Sequence, residues 1–240
     1  MKIALIGYGK MGRAIETIAL KRGHTITATI DLDNTEMFDS DAFRSANVAI
    51  EFTTPQTAYD NCLKCCEANI PVVCGTTGWT DNTLRDMRQR CEQNDRTFFH
   101  SSNFSLGVKN FFALNKYLAK IMNSYPDYNV GMTEIHHIHK LDAPSGTAIT
   151  LAEGIIEDVE RLKGWSSDNT TGEQHLLHIN AIRQGEVPGI HEICYQSDID
   201  SITVKHDAKN RTGFALGAVV AAEFAANHKG FLTMNDMLKF

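Results

Sequence analysis

Apolar and polar positions along the chain switch between two periods, and the switches predict its elements. Lys2–Ile6 is a short apolar run that reads as a buried strand. A helical pattern follows, with Met11, Ile15, Ile18 and Ala19 on one face, and it stops at Gly23. Thr25–Ile30 is rich in β-branched residues and predicts a second strand that ends at Asp31. Beyond it the pattern predicts a strand over 48–53, a helix over 57–69, a strand over 71–74, a polar-faced helix over 80–94 and a short strand at Thr97–His100. Strands alternating with helices imply a parallel sheet covered on both faces.

The character changes after Phe104. A helix is predicted over 107–122, with strands over 130–139, 178–183, 189–196 and 199–205. A tight Ser-Asp-Ile-Asp segment joins the last two strands and predicts antiparallel pairing. A further helix starts near Ser145, where Ala148, Leu151, Ala152, Ile155, Ile156, Val159 and Leu162 recur at helical spacing. Residues 163–173 are polar and glycine-punctuated, which predicts a surface loop. The chain closes with a helix of small residues over 214–227, capped by Gly230. The pattern therefore describes an α/β domain followed by an α+β domain with a mixed or antiparallel sheet.

Composition narrows the classes. The chain has 240 residues, 42% hydrophobic and 22% charged, and no stretch approaches the roughly 20 apolar residues of a membrane span. Its first six residues look like the start of a signal peptide. Gly7, Tyr8, Gly9 and Lys10 break the run at once, so a cytoplasmic protein is expected. Net charge is -6 without a Lys/Arg run, which disfavours nucleic-acid and anionic-membrane partners. Of the six cysteines, Cys62, Cys65 and Cys66 fall on one helix face. No second paired-Cys motif completes a tetrahedral metal site, so they read as small apolar packing groups.

The first candidate chemistry is Gly7-x-Gly9-x-x-Gly12, which follows a strand, opens a helix and precedes an acidic residue at Asp31, the end of the next strand. That context predicts a Rossmann-type doubly wound sheet binding a dinucleotide along Gly7, Tyr8, Gly9, Lys10, Met11 and Gly12. Gly7 allows the tight turn, Gly9 lets the backbone approach the pyrophosphate, and Gly12 permits close helix packing. A plain glycine turn is the alternative. Asp31 is placed to accept from the adenosine ribose, and Leu32 and Asp33 after it offer no cation to a 2′-phosphate. A carboxylate at ~4 Å from one phosphate charge costs up to about 4 kcal/mol at an effective dielectric of ~20. NADH is therefore expected over NADPH, with Lys10 and Arg13 near enough to leave dual use open.

The densest chemistry lies in the run from Glu134 to Thr147, which contains His136, His137, His139, Lys140, Asp142 and Ser145-Gly146-Thr147. Strand alternation would send His136 to one face and His137 and His139 to the other, and Lys140 repels a cation, so no metal is expected. Solvated or structural histidines are one alternative. The favoured reading is an anion-binding acid site in which Lys140 supplies fixed charge and a neighbouring His donates a proton. Ser145-Gly146-Thr147 opens a helix whose free N–H groups and hydroxyls suit a carboxylate, the dipole adding about 0.3–1 kcal/mol.

The run E-x-H-H-x-x-K-x-D-A-P-S-G-T-A closely resembles the signature of the 4-hydroxy-tetrahydrodipicolinate (dihydrodipicolinate) reductase family. The resemblance extends through Phe52-Thr-Thr-Pro55, Cys74-Gly75-Thr76-Thr77-Gly78, Asn103-Phe104-Ser105-Leu-Gly107-Val and the late His206-x-Ala-x-x-Arg211 stretch. It implies NAD(P)H-dependent reduction of a small cyclic imine dicarboxylate in diaminopimelate and lysine biosynthesis. It makes His136 the acid–base residue and Lys140 the proton donor or charge stabiliser. His137 and the Gly146-Thr147 backbone would hold substrate carboxylates, with Ser145 in support. Gly75, Thr76, Thr77, Ser101, Ser102, Asn103 and Phe104 would line the nicotinamide end of the cofactor site. It further implies a dinucleotide domain of 1–104 with 213–240, and a substrate and oligomerisation domain of 105–212 that builds a homotetramer. Two features depart from the family's commonest form. The 31–51 segment is short, and the glycine loop is one residue tighter. The competing functions are another amino-acid or imino-acid dehydrogenase of similar build, and a non-catalytic NAD-binding regulator.

Overall fold

The fold comes from a computed structural model that describes residues 1–167, 175–210 and 212–239. The chain divides into two compact units, Met1–Leu106 with Thr212–Phe240, and Gly107–Arg211. The first unit opens with β1 (Lys2–Ile6), α1 (Lys10–Lys21), β2 (Thr25–Ile30), a 3-10 turn (Thr35–Asp39), α2 (Asp41–Arg44) and β3 (Val48–Glu51). It continues through α3 (Ala58–Glu67), β4 (Val72–Cys74), α4 (Asp81–Asn94) and β5 (Thr97–His100). The second unit holds α5 (Leu106–Met122), β6 (Asn129–His136), α6 (Gly146–Asp158), β7 (Gly164–Ser166), β8 (Leu176–Arg183), β9 (Ile190–Gln196) and β10 (Ser201–Asp207). α7 (Thr212–Ala225), β11 (Gly230–Leu232) and α8 (Met234–Leu238) return to the first unit.

The first sheet has the order β11-β5-β4-β3-β1-β2, and every pairing in it is parallel. Its inner strands β1, β3 and β4 are apolar at nearly every position because both faces are covered. Ile3, Leu5, Ile50, Val73 and Phe99 pack on α1 and α7, while Ala4, Ile6, Ala49, Val72 and Phe98 pack on α3 and α4. The glycine loop leaves β1 where the order reverses between β1–β2 and β1–β3, the position at which open parallel sheets bind ligands. This is the Rossmann-type architecture the sequence predicts. Cys62, Cys65, Cys66, Cys74 and Cys91 are free and buried in the α3–α4 layer.

The second sheet is mixed, in the order β10-β9-β6-β8-β7. β6 is antiparallel to β9 and parallel to β8, and β9 is antiparallel to β10. One face packs on α5 and α6 through Met132, Leu177, Ile179, Ile193 and Tyr195. Among the described residues no helix is long and apolar enough to cross a membrane.

Several elements differ from the pattern-based expectation. β6 stops at His136 rather than residue 139, because the chain turns there. Gln184 N–H donates to the His136 carbonyl at 2.8 Å, and Lys140 N–H reaches back to the His137 carbonyl at 3.2 Å. His137 and His139 are therefore turn residues, and strand alternation does not separate them from His136. Residues 164–166 form edge strand β7 on β8 instead of loop, and the rest of the predicted loop, from 168 to 173, lies outside the described residues. Gly230 does not cap a helix but opens β11, at φ +105°, beside Thr97. The short 31–51 segment holds the 3-10 turn and α2, pinned by an edge-to-face pair of Phe38 and Phe43 at 5.2 Å.

Candidate active site

The glycine loop is built by close approach. Gly7 has φ +89°, and a Cβ there would meet the Phe52 carbonyl oxygen at 2.1 Å. A Cβ on Gly12 would lie 2.2 Å from the Gly7 carbonyl oxygen, so the first turn of α1 can press on the loop only without a side chain. Gly9 differs. Nothing lies within 4 Å of an added Cβ, it precedes the first helical residue, and the first turn of α1 carries no acid. An open backbone at a helix N-terminus whose first turn carries no acid fits a pyrophosphate. Asp31 is part of the same arrangement. One carboxylate oxygen accepts Tyr8 N–H at 3.0 Å and the other accepts Leu32 N–H at 2.9 Å, so its position is fixed relative to the loop while lone pairs remain for ribose hydroxyls. The Arg13 guanidinium lies over the Tyr8 ring at 4.7 Å, and the Tyr8 hydroxyl bonds Glu16. Lys10 is exposed and Met11 half-buried beside them.

The other predicted cofactor residues lie at the ends of β4 and β5 in the same unit. A Cβ on Gly75 would meet the Phe52 ring at 2.1 Å, and the Phe52 and Phe104 rings are 5.7 Å apart. Buried Thr76 accepts Thr53 N–H at 2.8 Å, whereas Thr77 and Ser102 are exposed. Ser101 accepts Asn103 N–H at 3.1 Å, and the Asn103 side chain accepts Ser105 N–H at 2.8 Å, which shapes the turn into α5. Sequence reading passed over Glu51. It is fully buried under these loops, accepting Thr53 N–H at 3.0 Å and the Cys74 thiol at 2.9 Å. Its signal was an acid ending an apolar strand.

In the second unit, the polar cluster gathers around the C-terminal end of β6. Glu134 and His136 lie on one strand two residues apart, so both project to the helix-covered face. The His136 Nδ1 bonds one oxygen of Glu134. The other oxygen accepts Arg183 Nη2–H at 2.9 Å and Ser145 N–H at 3.2 Å. Burial opposes ionisation of Glu134, but the hydrogen bonds from His136 and Arg183 overcome it and take its carboxyl down to about 2. Arg183 also donates to the Asp142 carbonyl at 2.6 Å, tying β8 to the turn that carries Lys140.

Lys140 Nζ donates to the Asp142 carboxylate at 2.8 Å, and that bond holds the Asp142 carboxyl below its usual range. Ser145 caps α6 by accepting Ala148 N–H at 3.2 Å, and its hydroxyl also meets His191 Nε2 at 3.0 Å. Burial, together with the charges of His136 and Lys140, pushes His191 down to about 4, so it is neutral near pH 7. Gly146 opens the helix with nothing within 4 Å of an added Cβ, and Thr147 follows it half-buried. His137 is half-buried, its Nδ1 has no partner among the described residues, and its ring lies 6.0 Å from that of His139.

Glu134, His136 and His191 offer ligand atoms within 4.8 Å of one another. A metal there would have to share the carboxylate with the Arg183 guanidinium, which is electrostatically costly. The second unit thus gathers a buried carboxylate bonded to an imidazole, a lysine and a serine-capped helix start with an open glycine. A broad groove at the other end of β6, lined by Asn129, Gly131, Arg161 and Cys194, borders none of these residues. Sequence reading missed Arg183, Gly189 and His191, which lie about 40 residues beyond the signature. It also gave Glu134 and Asp142 no role, although both stand inside the signature.

The chain matches known proteins over nearly its whole length. Residues 1–104 match the family model described as dihydrodipicolinate reductase, N-terminus, and residues 107–238 match the one described as its C-terminus. The chain is 48% identical over 238 residues to the 4-hydroxy-tetrahydrodipicolinate reductase of Christiangramia forsetii, covering 99% of this chain and 98% of that one. It is 32% identical to the protein of the same name from Archaeoglobus fulgidus, with both chains covered in full. A solved dihydrodipicolinate reductase with dipicolinate bound, from Paenisporosarcina sp. TG-14, shares the fold at TM-score 0.77 and 22% identity, covering 98% of each chain.

Proposed function

This chain belongs to the dihydrodipicolinate reductase family, and on that premise we propose that it reduces 4-hydroxy-tetrahydrodipicolinate to tetrahydrodipicolinate in diaminopimelate and lysine biosynthesis. The observation that carries the reading is the cluster of Glu134, His136, Lys140 and the Ser145–Thr147 helix start on one unit, with the glycine loop and Asp31 on the other.

The residues divide the work. Gly7 to Gly12 and Asp31 hold the dinucleotide, with Gly75 to Thr77 and Ser101 to Phe104 at its nicotinamide end. When bound, the reduced nicotinamide supplies the hydride. The substrate is a ring dicarboxylate, and the solved relative's dipicolinate is a planar ring of the same charge. One carboxylate is received by the Gly146 and Thr147 N–H groups at the start of α6, with the Ser145 and Thr147 hydroxyls and His137 adding donors. Lys140 stabilises the negative charge that develops on the ring, and His136, as the imidazolium, gives up the proton on Nε2, its nitrogen without a partner among the described residues, and returns to the neutral ring. The Lys140–Asp142 pair keeps the ammonium in place until an anionic ring competes for it.

NADH is the preferred cofactor in this proposal, because Leu32 and Asp33 leave no cation beside Asp31 for a 2′-phosphate. The enzyme works in the cytoplasm as a homotetramer assembled through the second unit. The test is a coupled assay in which the preceding synthase makes the substrate in situ from pyruvate and aspartate semialdehyde. NADH and NADPH oxidation are followed separately. Synthase-dependent oxidation establishes the reaction and the preference together. Silence with both cofactors, from folded protein that still binds NADH, would leave a non-catalytic NAD-binding protein or a different dehydrogenase.

A further inference from the structure

Glu134 is fully buried, yet each of its oxygens carries donors: His136 Nδ1 on one, and Arg183 Nη2 at 2.9 Å with Ser145 N at 3.2 Å on the other. An ionised carboxylate only accepts, so the ring nitrogen facing it must bear the hydrogen. In the neutral ring that leaves the lone pair on Nε2. Gly189 stands beside that nitrogen, and a Cβ there would sit 3.0 Å from it, so the absence of a side chain keeps the approach to Nε2 open. His191 meets the His136 ring edge-to-face at 5.1 Å and limits its rotation. Arg183 in turn spans from Glu134 to the Asp142 carbonyl, in the turn that positions Lys140.

We propose that Glu134, braced by Arg183, is the positioning residue that fixes the tautomer and orientation of His136, so that Nε2 is the nitrogen presented to substrate. The inference rests on His136 being the acid–base residue of the proposed reaction. Glu134 itself touches neither substrate nor cofactor and acts only through the imidazole. Charged acceptors behind a catalytic imidazole act in this way in hydrolytic triads, where removing the charge while keeping the shape yields the wrong tautomer.

The experiment uses the full chain labelled with 15N-histidine, its His136 signals identified by their loss in His136→Gln. The wild-type ring is expected to be the Nδ1–H tautomer above its titration. In Glu134→Gln, whose amide can both donate and accept, the Nε2–H form gains population. There kcat falls by about 100-fold, the low end of general acid–base effects, while KM changes less than about threefold. Glu134→Asp recovers part of kcat and most of the wild-type tautomer. A wild-type ring in the Nε2–H form overturns the inference whether or not any variant folds. Full turnover in Glu134→Gln combined with loss in His136→Gln overturns this inference alone. Retained turnover in His136→Gln overturns the assignment of His136, and this inference with it. A Glu134→Gln chain that loses activity with an unmoved tautomer makes Glu134 a packing residue and overturns positioning.

Discussion

The glycine loop of the first unit and the acid–base cluster of the second are built by opposite means. The loop is defined by side chains that are missing. Gly7, Gly12 and Gly75 sit where a Cβ would fall 2.1–2.2 Å from a carbonyl oxygen or a ring, so close approach of backbone shapes the loop. The cluster is defined by side chains that depend on one another. Buried Glu134 is tolerable only because His136, Arg183 and the Ser145 N–H meet it, and an ionised acid stripped of them would cost several kcal/mol. Backbone sites bind charge with little tuning, whereas networks of ionisable groups can also move protons. A reductase of this type needs one of each.

Lys140→Ala is expected to lower kcat by about 100- to 10,000-fold while NADH affinity, read by fluorescence titration, stays within about twofold. Near-normal turnover would remove Lys140 from the mechanism and leave the cluster a structural one.

Acid should separate the two units next. The unfolded chain protonates His191 near 6.5, while the folded chain does so only near 4, so between these values the unfolded state binds the extra proton. The stability from its neutral burial is full above about pH 6.5 and is lost as pH falls towards 4. The loss approaches about 3 kcal/mol, since each tenfold change in proton affinity is worth about 1.4 kcal/mol. Glu134 adds a second acid arm, present above its ordinary 4.5 and lost as pH falls towards about 2. Urea midpoints measured from pH 7.5 to 4.5 should fall for the wild type and flatten in His191→Gln. A parallel slope in both would show that His191 is not the group responsible.

Smaller effects sharpen the backbone side. Gly12→Ala puts a methyl 2.2 Å from the Gly7 carbonyl oxygen, and overpacking of this kind costs about 1–3 kcal/mol. Weaker NADH binding and a lower Tm are expected, and an unchanged Kd would mean that α1 does not need to touch the loop. Asp31→Ala should raise the NADPH-to-NADH ratio of kcat/KM by about tenfold, the equivalent of ~1.4 kcal/mol. An unchanged ratio would place ribose recognition elsewhere.

Local signals alone determined much of this protein. The period of the apolar positions set the parallel sheet, the glycine spacing set the loop at its switch point, and the contiguous run from Glu134 to Thr147 carried most of the candidate site, because each of these is written within a few dozen residues. The β9–β10 hairpin was legible for the same reason, from its short turn. Tertiary structure decided the rest. β11 and β7 are edge strands of three residues, too short to show a period, and they form because a neighbouring strand offers a free edge. The end of β6 at His136 was hidden by the apolar Ile138, which continues the alternation although the backbone has turned. Arg183, Gly189 and His191 meet Glu134, His136 and Ser145 across strand pairings that bring positions roughly 50 residues apart into register, His191 directly opposite Glu134 and Arg183 beside His136. A chain order cannot display that adjacency, because the register between strands is fixed by packing of the whole sheet on α5 and α6 and not by any residue next to the site.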